Sequence, residues 1–154
     1  PKVIIIAHSM GGLVVREYGV LFGYGGIDKA ILINTPNKGI TKKIGRLCNI
    51  LGSEKECNDM TEGSIFLNKL NSQKIPKGTL FYAIRSTGCK MENNSQGDGI
   101  VAEDNAYLED ATNIVINGEC TDNFQTDLHT VVLDPELHPE TYSIIKEILL
   151  GKNE

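Results

Sequence analysis

An unbroken apolar run, Val3-Ile4-Ile5-Ile6, leads without a spacer into Ala7-His8-Ser9-Met10-Gly11-Gly12 and then into the helix-compatible Leu13-Val14-Val15-Arg16-Glu17-Tyr18. A short β-branched run of this kind suits a strand buried on both faces. Its abrupt change to a helical pattern requires a tight turn at Ser9. Small residues are expected two positions before and after that serine, where strand and helix backbones converge, and Ala7 and Gly11 occupy those places. The turn holds the Ser9 hydroxyl over the end of the sheet. The helix that follows aims its unpaired N–H groups and positive dipole end at the same point. A negative charge developing there would be stabilised.

The rest of the chain alternates strand and helix patterns, which predicts an α/β fold with a mostly parallel sheet flanked by helices. Strands are read at Lys2–Ala7, Lys29–Asn34, Thr79–Arg85 and Asn113–Ile116, all short and rich in Ile, Val and Leu. Helices are read at Gly12–Leu21, about Lys42–Leu51, Ser64–Asn71, near Ala102–Ala106, and Pro139–Leu149. In the last, Pro139 suits the first helical position, Tyr142, Ile145, Ile148 and Leu149 recur at helical spacing, and Gly151 stops the pattern. The turn-rich stretch Gly88–Gly99 reads as a long loop after the third strand, the kind of place where a scaffold carries function.

At 154 residues with 40% hydrophobic and 23% charged side chains, the chain suits one globular domain with a sizeable core. No apolar run approaches the ~20 residues of a membrane-spanning helix. A net charge of -5 with scattered basic residues, Lys42-Lys43-Ile44-Gly45-Arg46 apart, argues against a nucleic-acid partner. The four cysteines, Cys48, Cys57, Cys89 and Cys120, form no CxxC pair, so neither a zinc ribbon nor a thioredoxin-type motif is expected. An even count favours an exported protein, with Cys48–Cys57 and Cys89–Cys120 as plausible bridges; sequence alone allows three connectivities, and four reduced thiols in a cytosolic protein is the alternative. Asn93-Asn94-Ser95 is a glycosylation sequon, usable only in a eukaryotic secretory route. No spacing points to a metal or to an organic cofactor.

Ala7-His8-Ser9-Met10-Gly11 resembles the Ala-x-Ser-x-Gly nucleophile elbow of α/β-hydrolases of the lipase and esterase kind, as found in some small bacterial lipases. Ala30-Ile31-Leu32-Ile33-Asn34-Thr35-Pro36-Asn37-Lys38-Gly39 is similar to the strand and Thr-Pro-x-x-Gly turn that follow the elbow there, and Asp59-Met60-Thr61-Glu62-Gly63-Ser64-Ile65-Phe66-Leu67-Asn68-Lys69-Leu70-Asn71 to the segment with a Gly-Ser-x-Phe-Leu-x-x-Leu-Asn helix. The likeness covers nearly the whole chain. It implies a single α/β-hydrolase domain over residues 1–154, corresponding to the part from the elbow onward, with 39–72 as a lid or pocket insertion. Such a fold has strands before the elbow strand, one of whose loops supplies half of the oxyanion hole. The chain opens with Pro1-Lys2 directly before the elbow strand, so those strands are expected to be missing and the chain to be part of a longer polypeptide. The partner expected is that upstream segment, or self-association at the open sheet edge.

In this family the acid and base follow the serine in the order Ser, Asp, His. Gly97-Asp98-Gly99-Ile100-Val101 resembles the family's Asp-Gly-x-Val signature and makes Asp98 the candidate acid, ahead of Asp104 and Asp110. The base is sought among His129 and His138. His129 precedes Thr130-Val131-Val132-Leu133-Asp134-Pro135, similar to a His-x-x-Leu-x-x-Pro pattern, whereas His138 directly precedes Pro139 at a helix start. The catalytic candidates are thus Ser9, Asp98 and His129, with the Met10 backbone N–H as oxyanion donor. His8, Ile40, Ile44 and Leu47 are candidate pocket-lining residues. Read this way, the chain is a serine ester hydrolase of carboxylic or acyl-lipid esters working through an acyl-serine. An acyltransferase or thioesterase is the alternative among enzymes, and a non-catalytic fragment serving as a binding or assembly module the alternative outside them.

Overall fold

A computed structural model describes residues 1–41, 54–120 and 128–151. Its main sheet contains β1 (Val3–His8), β2 (Ile27–Ile33), β3 (Leu80–Thr87) and β6 (Thr112–Asn117), in the order β1-β2-β3-β6 with every pairing parallel. Helix α1 (Met10–Phe22) connects β1 to β2; α2 (Glu54–Asp59) and α3 (Ile65–Asn71) lie between β2 and β3. After β3 comes a small antiparallel ribbon of β4 (Cys89–Lys90) and β5 (Gln96–Gly97), then α4 (Glu103–Ala106). After β6 come α5 (Leu128–Val131) and α6 (Pro139–Leu149). The parallel sheet with flanking helices is the architecture the alternating pattern requires.

Strand periodicity divides the core into two layers. Ile31, Ile33, Tyr82, Ile84 and Ile116 face one side, where Leu128, Val132 and Ile148 of the C-terminal segments cover them. Ala30, Leu32, Phe81 and Ala83 face the other, against Val15 of α1 and Leu108. β2 is central and buried, and even its Lys29 is committed: its ammonium donates to the Ile148 carbonyl (2.9 Å), where the negative end of α6 favours a cation. Arg16, buried on α1, gives its guanidinium to the side-chain carbonyls of Asn37 (3.1 Å) and Asn71 (2.8 Å), fixing the Thr-Pro-Asn turn to α1 and α3. Burial lowers its pKa to about 10. β1 is an edge among the described residues. Val3, Ile4 and Ile6 are exposed there, so the run read as buried on both faces is covered on one flank only.

Helix ends follow local chemistry. The Ser64 hydroxyl accepts from the Leu67 N–H (3.1 Å) and caps α3, while Pro139 opens α6. α2, α5 and the β4–β5 ribbon had no distinct sequence signal, being too short to show a period. The helix read near Lys42–Leu51 falls on residues 42–53, outside those described. No helix among the described residues is long and apolar enough to cross a membrane.

Candidate active site

Parallel strands all end on the same side, so the segments leaving β1, β3 and β6 converge at one edge of the sheet. Ser9 follows β1 directly. Its backbone sits at φ 54°, ψ -130°, a conformation strained for a residue with a side chain, and its N–H is held by the Ile33 carbonyl at the end of β2 (2.9 Å). Asp98 follows the β4–β5 ribbon. Its Oδ1 accepts the N–H groups of Ile100 (2.8 Å) and Val101 (2.7 Å), which fixes the carboxylate plane and leaves Oδ2 free to point elsewhere.

Oδ2 points at His129. The His129 Nδ1–H donates to it at 2.7 Å, and on the other side of the ring Nε2 accepts the Ser9 hydroxyl at 3.0 Å. Asp98 is 1% exposed and His129 8%, whereas Ser9 is partly open. The three side chains form one hydrogen-bonded row from a buried carboxylate to an accessible hydroxyl. His129 lies on α5, a single helical turn and not in an extended loop, and its main-chain N–H donates to the Asp98 carbonyl (2.9 Å).

The Met10 and Gly11 N–H groups open α1, where no carbonyl lies one turn earlier within the helix to receive them. The close approach at this turn involves a different glycine from the one its spacing suggests. A Cβ at Gly11 would stand 3.7 Å from Ala7 Cβ, an ordinary contact, whereas at Gly12 it would lie 2.0 Å from Thr35 Oγ1 and 2.8 Å from Thr35 Cβ. The Gly-Gly doublet was the available signal, since the turn alone requires only one glycine.

His138, the other candidate base, stays away from the row and bonds Glu140 (Nδ1 to Oε1, 2.7 Å). Asp110 occupies a positive-φ turn before β6, at the opposite end of the sheet from Ser9, and Asp104 lies within α4. His8 Nε2 is 2.8 Å from the His129 carbonyl oxygen. Ile40, read as a pocket wall, is 4% exposed and packs with Val101 and Ala106, because its strand-like bridge to Thr61 turns the side chain inward. Ile44 and Leu47 lie outside the described residues. Missed altogether was Asn34, buried at φ 48° at the end of β2, whose side-chain oxygen accepts the Ser86 N–H (2.9 Å). An apolar groove of about 400 Å³ runs from Met10 along α1, between Leu13, Val14 and Tyr18 on one side and Met60 and Phe66 on the other.

Cys89 and Cys120 form a disulfide joining the ribbon to the segment after β6. Cys57 is also disulfide-bonded; Cys48, its expected partner, lies outside the described residues. Among the described residues no cluster of His, Cys, Asp and Glu could hold a metal ion.

No protein-family model matches the chain, and no curated protein sequence matches it. Solved structures do. The chain superposes on the mature form of the Bacillus licheniformis lipase BlEst2 with a TM-score of 0.71 at 19% identity, over 96% of this chain and 65% of that one. On the propeptide form of that lipase the TM-score is 0.69, with 96% of this chain and 36% of that one covered. On the phospholipase PlaB of Legionella pneumophila, in complex with thio-NAD, it is 0.56 at 18% identity, over 66% of this chain and 26% of that one. The chain therefore spans just under two thirds of the mature lipase it matches. Together with the parallel sheet, these likenesses give the chain a fold of the α/β-hydrolase type.

Proposed function

We propose that the protein is a serine ester hydrolase acting on carboxylic or acyl-lipid esters. The observation that carries this reading is the row Ser9 Oγ, His129 Nε2, His129 Nδ1, Asp98 Oδ2, with spacings of 3.0 Å and 2.7 Å. In the proposed reaction His129 takes the Ser9 proton as Oγ bonds to the acyl carbon, and the carbonyl electrons move onto oxygen beside the Met10 N–H. Collapse expels the alcohol, which leaves with the proton from His129. Water then attacks the acyl-Ser9, losing a proton to His129, which returns it to Ser9 Oγ as the acyl–oxygen bond breaks and the acid is released. Asp98 fixes the tautomer that leaves Nε2 as acceptor and stabilises the imidazolium.

A second oxyanion donor is proposed to come from polypeptide paired along the open edge of β1. Residues 39–72 are proposed to wall the site; of their described parts, α2 and α3 face α1 across the apolar groove. That groove is lined at one end by Met10, the residue after Ser9 in the chain, and its apolar walls suit an acyl chain, which supports a lipid ester as substrate. The disulfide supports an exported protein.

A fluorophosphonate probe tests the reading, because it labels only an activated serine. Labelling of Ser9 in the wild type, abolished in Ser9→Ala and His129→Ala, is expected together with hydrolysis of p-nitrophenyl esters. An unlabelled wild type would favour a non-catalytic binding or assembly role. Transfer of the acyl group to an added alcohol in preference to water would favour an acyltransferase, and faster turnover of acyl thioesters a thioesterase.

A further inference from the structure

We propose that His8 is a positioning residue for His129, its ring holding the main chain of the turn that bears the imidazole in register with Ser9. The proposal rests on the hydrolase reading of the site and adds to it a residue that touches none of the reacting atoms. The His129 peptide is gripped at both ends. Its N–H donates to the Asp98 carbonyl (2.9 Å), and its own carbonyl accepts from His8 Nε2 (2.8 Å). A carbonyl oxygen only accepts, so His8 must carry its hydrogen on Nε2. The two rings also pack against one another, with centroids 4.7 Å apart and planes inclined at 48°.

His8 is joined to Ser9 by a peptide bond, so the strand end that presents the hydroxyl touches His129 twice: Oγ at the ring nitrogen and Nε2 at the main chain. Sliding α5 relative to β1 would stretch both contacts at once. Without the His8 contact, the backbone of the one-turn α5 could pivot on the Asp98 side and swing Nε2 away from Oγ, and a misplacement of 1 Å can cost about 10²-fold in rate. Histidine meets two requirements together here. A flat ring fills the space beside His129, and a donor reaches the carbonyl; phenylalanine would keep only the first and glutamine only the second. Burial above all, and the neighbouring His129, hold the His8 pKa below its ordinary value. Both effects disfavour a second charge on His8 beside His129.

The test compares His8→Phe and His8→Gln in the intact protein. For His8→Phe, kcat on a p-nitrophenyl ester and the rate of probe labelling should both fall about tenfold, the worth of one hydrogen bond, with KM and Tm nearly unchanged. For His8→Gln most of that rate should return. Histidine ¹⁵N NMR should find His8 as the Nε2–H tautomer, and the low-field His129 Nδ1 proton should broaden in His8→Phe. This spectroscopic arm holds if the hydrolase reading fails through lack of any Ser9 labelling, and it holds if His8→Phe does not fold, through the wild-type tautomer. A folded His8→Phe of full rate, a His8→Gln no faster than His8→Phe, or His8 protonated on Nδ1 alone would overturn the proposal.

Discussion

Cys89 lies directly opposite Gly97 in the β4–β5 ribbon, one residue before Asp98, and its sulfur is bonded to Cys120 beyond β6. The ribbon is only two residues long on each side, too short to hold its shape unaided. The disulfide therefore anchors the base of the turn on which the carboxylate stands. Replacing Cys89 and Cys120 by Ala should lower unfolding free energy by about 2–4 kcal/mol. Urea denaturation would measure this, and ester turnover should fall more steeply with temperature than the loss of fold.

Asp98→Asn should keep the turn and lose the chemistry. The Ile100 and Val101 N–H groups hold one oxygen in place, so the amide NH₂ would fall where Oδ2 meets His129 Nδ1. Two donors would then face each other unless the imidazole adopts the tautomer with its hydrogen on Nε2, which cannot accept from Ser9. A fall in kcat of about 10⁴-fold with little change in Tm is expected.

Gly12→Ala should be the more damaging of two small changes at the elbow. Its methyl would collide with Thr35, whose Cβ as well as Oγ1 stands in the way, so rotating the threonine gives no relief. A cost of about 1–3 kcal/mol follows from overpacking of this kind. Gly11→Ala has ordinary room and should be near neutral by thermal unfolding.

Acid should weaken the fold partly through His8. Burial first, and His129 second, lower the His8 pKa in the folded protein below 6.5, so the unfolded chain binds the proton more readily. Stability from this group is complete above the unfolded value near 6.5 and is lost as pH falls from there toward the lower folded value. Chemical denaturation of the wild type and His8→Phe between pH 7.5 and about 5 should give a smaller slope for the variant across that window.

Strand runs such as Ala30-Ile31-Leu32-Ile33 and the Pro139 helix start were legible because period and capping chemistry act locally. So was the serine turn, for which strand, small residues and helix stand side by side. What the sequence does not encode locally is which faces meet. Ile40 has an aliphatic side chain in either role, and only its bridge to Thr61 turns it inward. His8 carries no sign that its partner is a main-chain carbonyl 121 residues away. The motif contexts singled out Ser9, Asp98 and His129 for chemistry, and their proximity depends on three parallel strands ending at the same edge.

The hydrogen bond between Ser9 and His129 joins positions 120 residues apart, near the two ends of the described chain. Neither β1 with α1 nor the C-terminal helices contain a working fraction of the site. It comes into being only when every intervening crossover has closed, at the end of a slow, non-local assembly. Probe labelling of Ser9 during refolding should therefore lag behind the recovery of helical ellipticity, and serve as a clock for completion of the native topology.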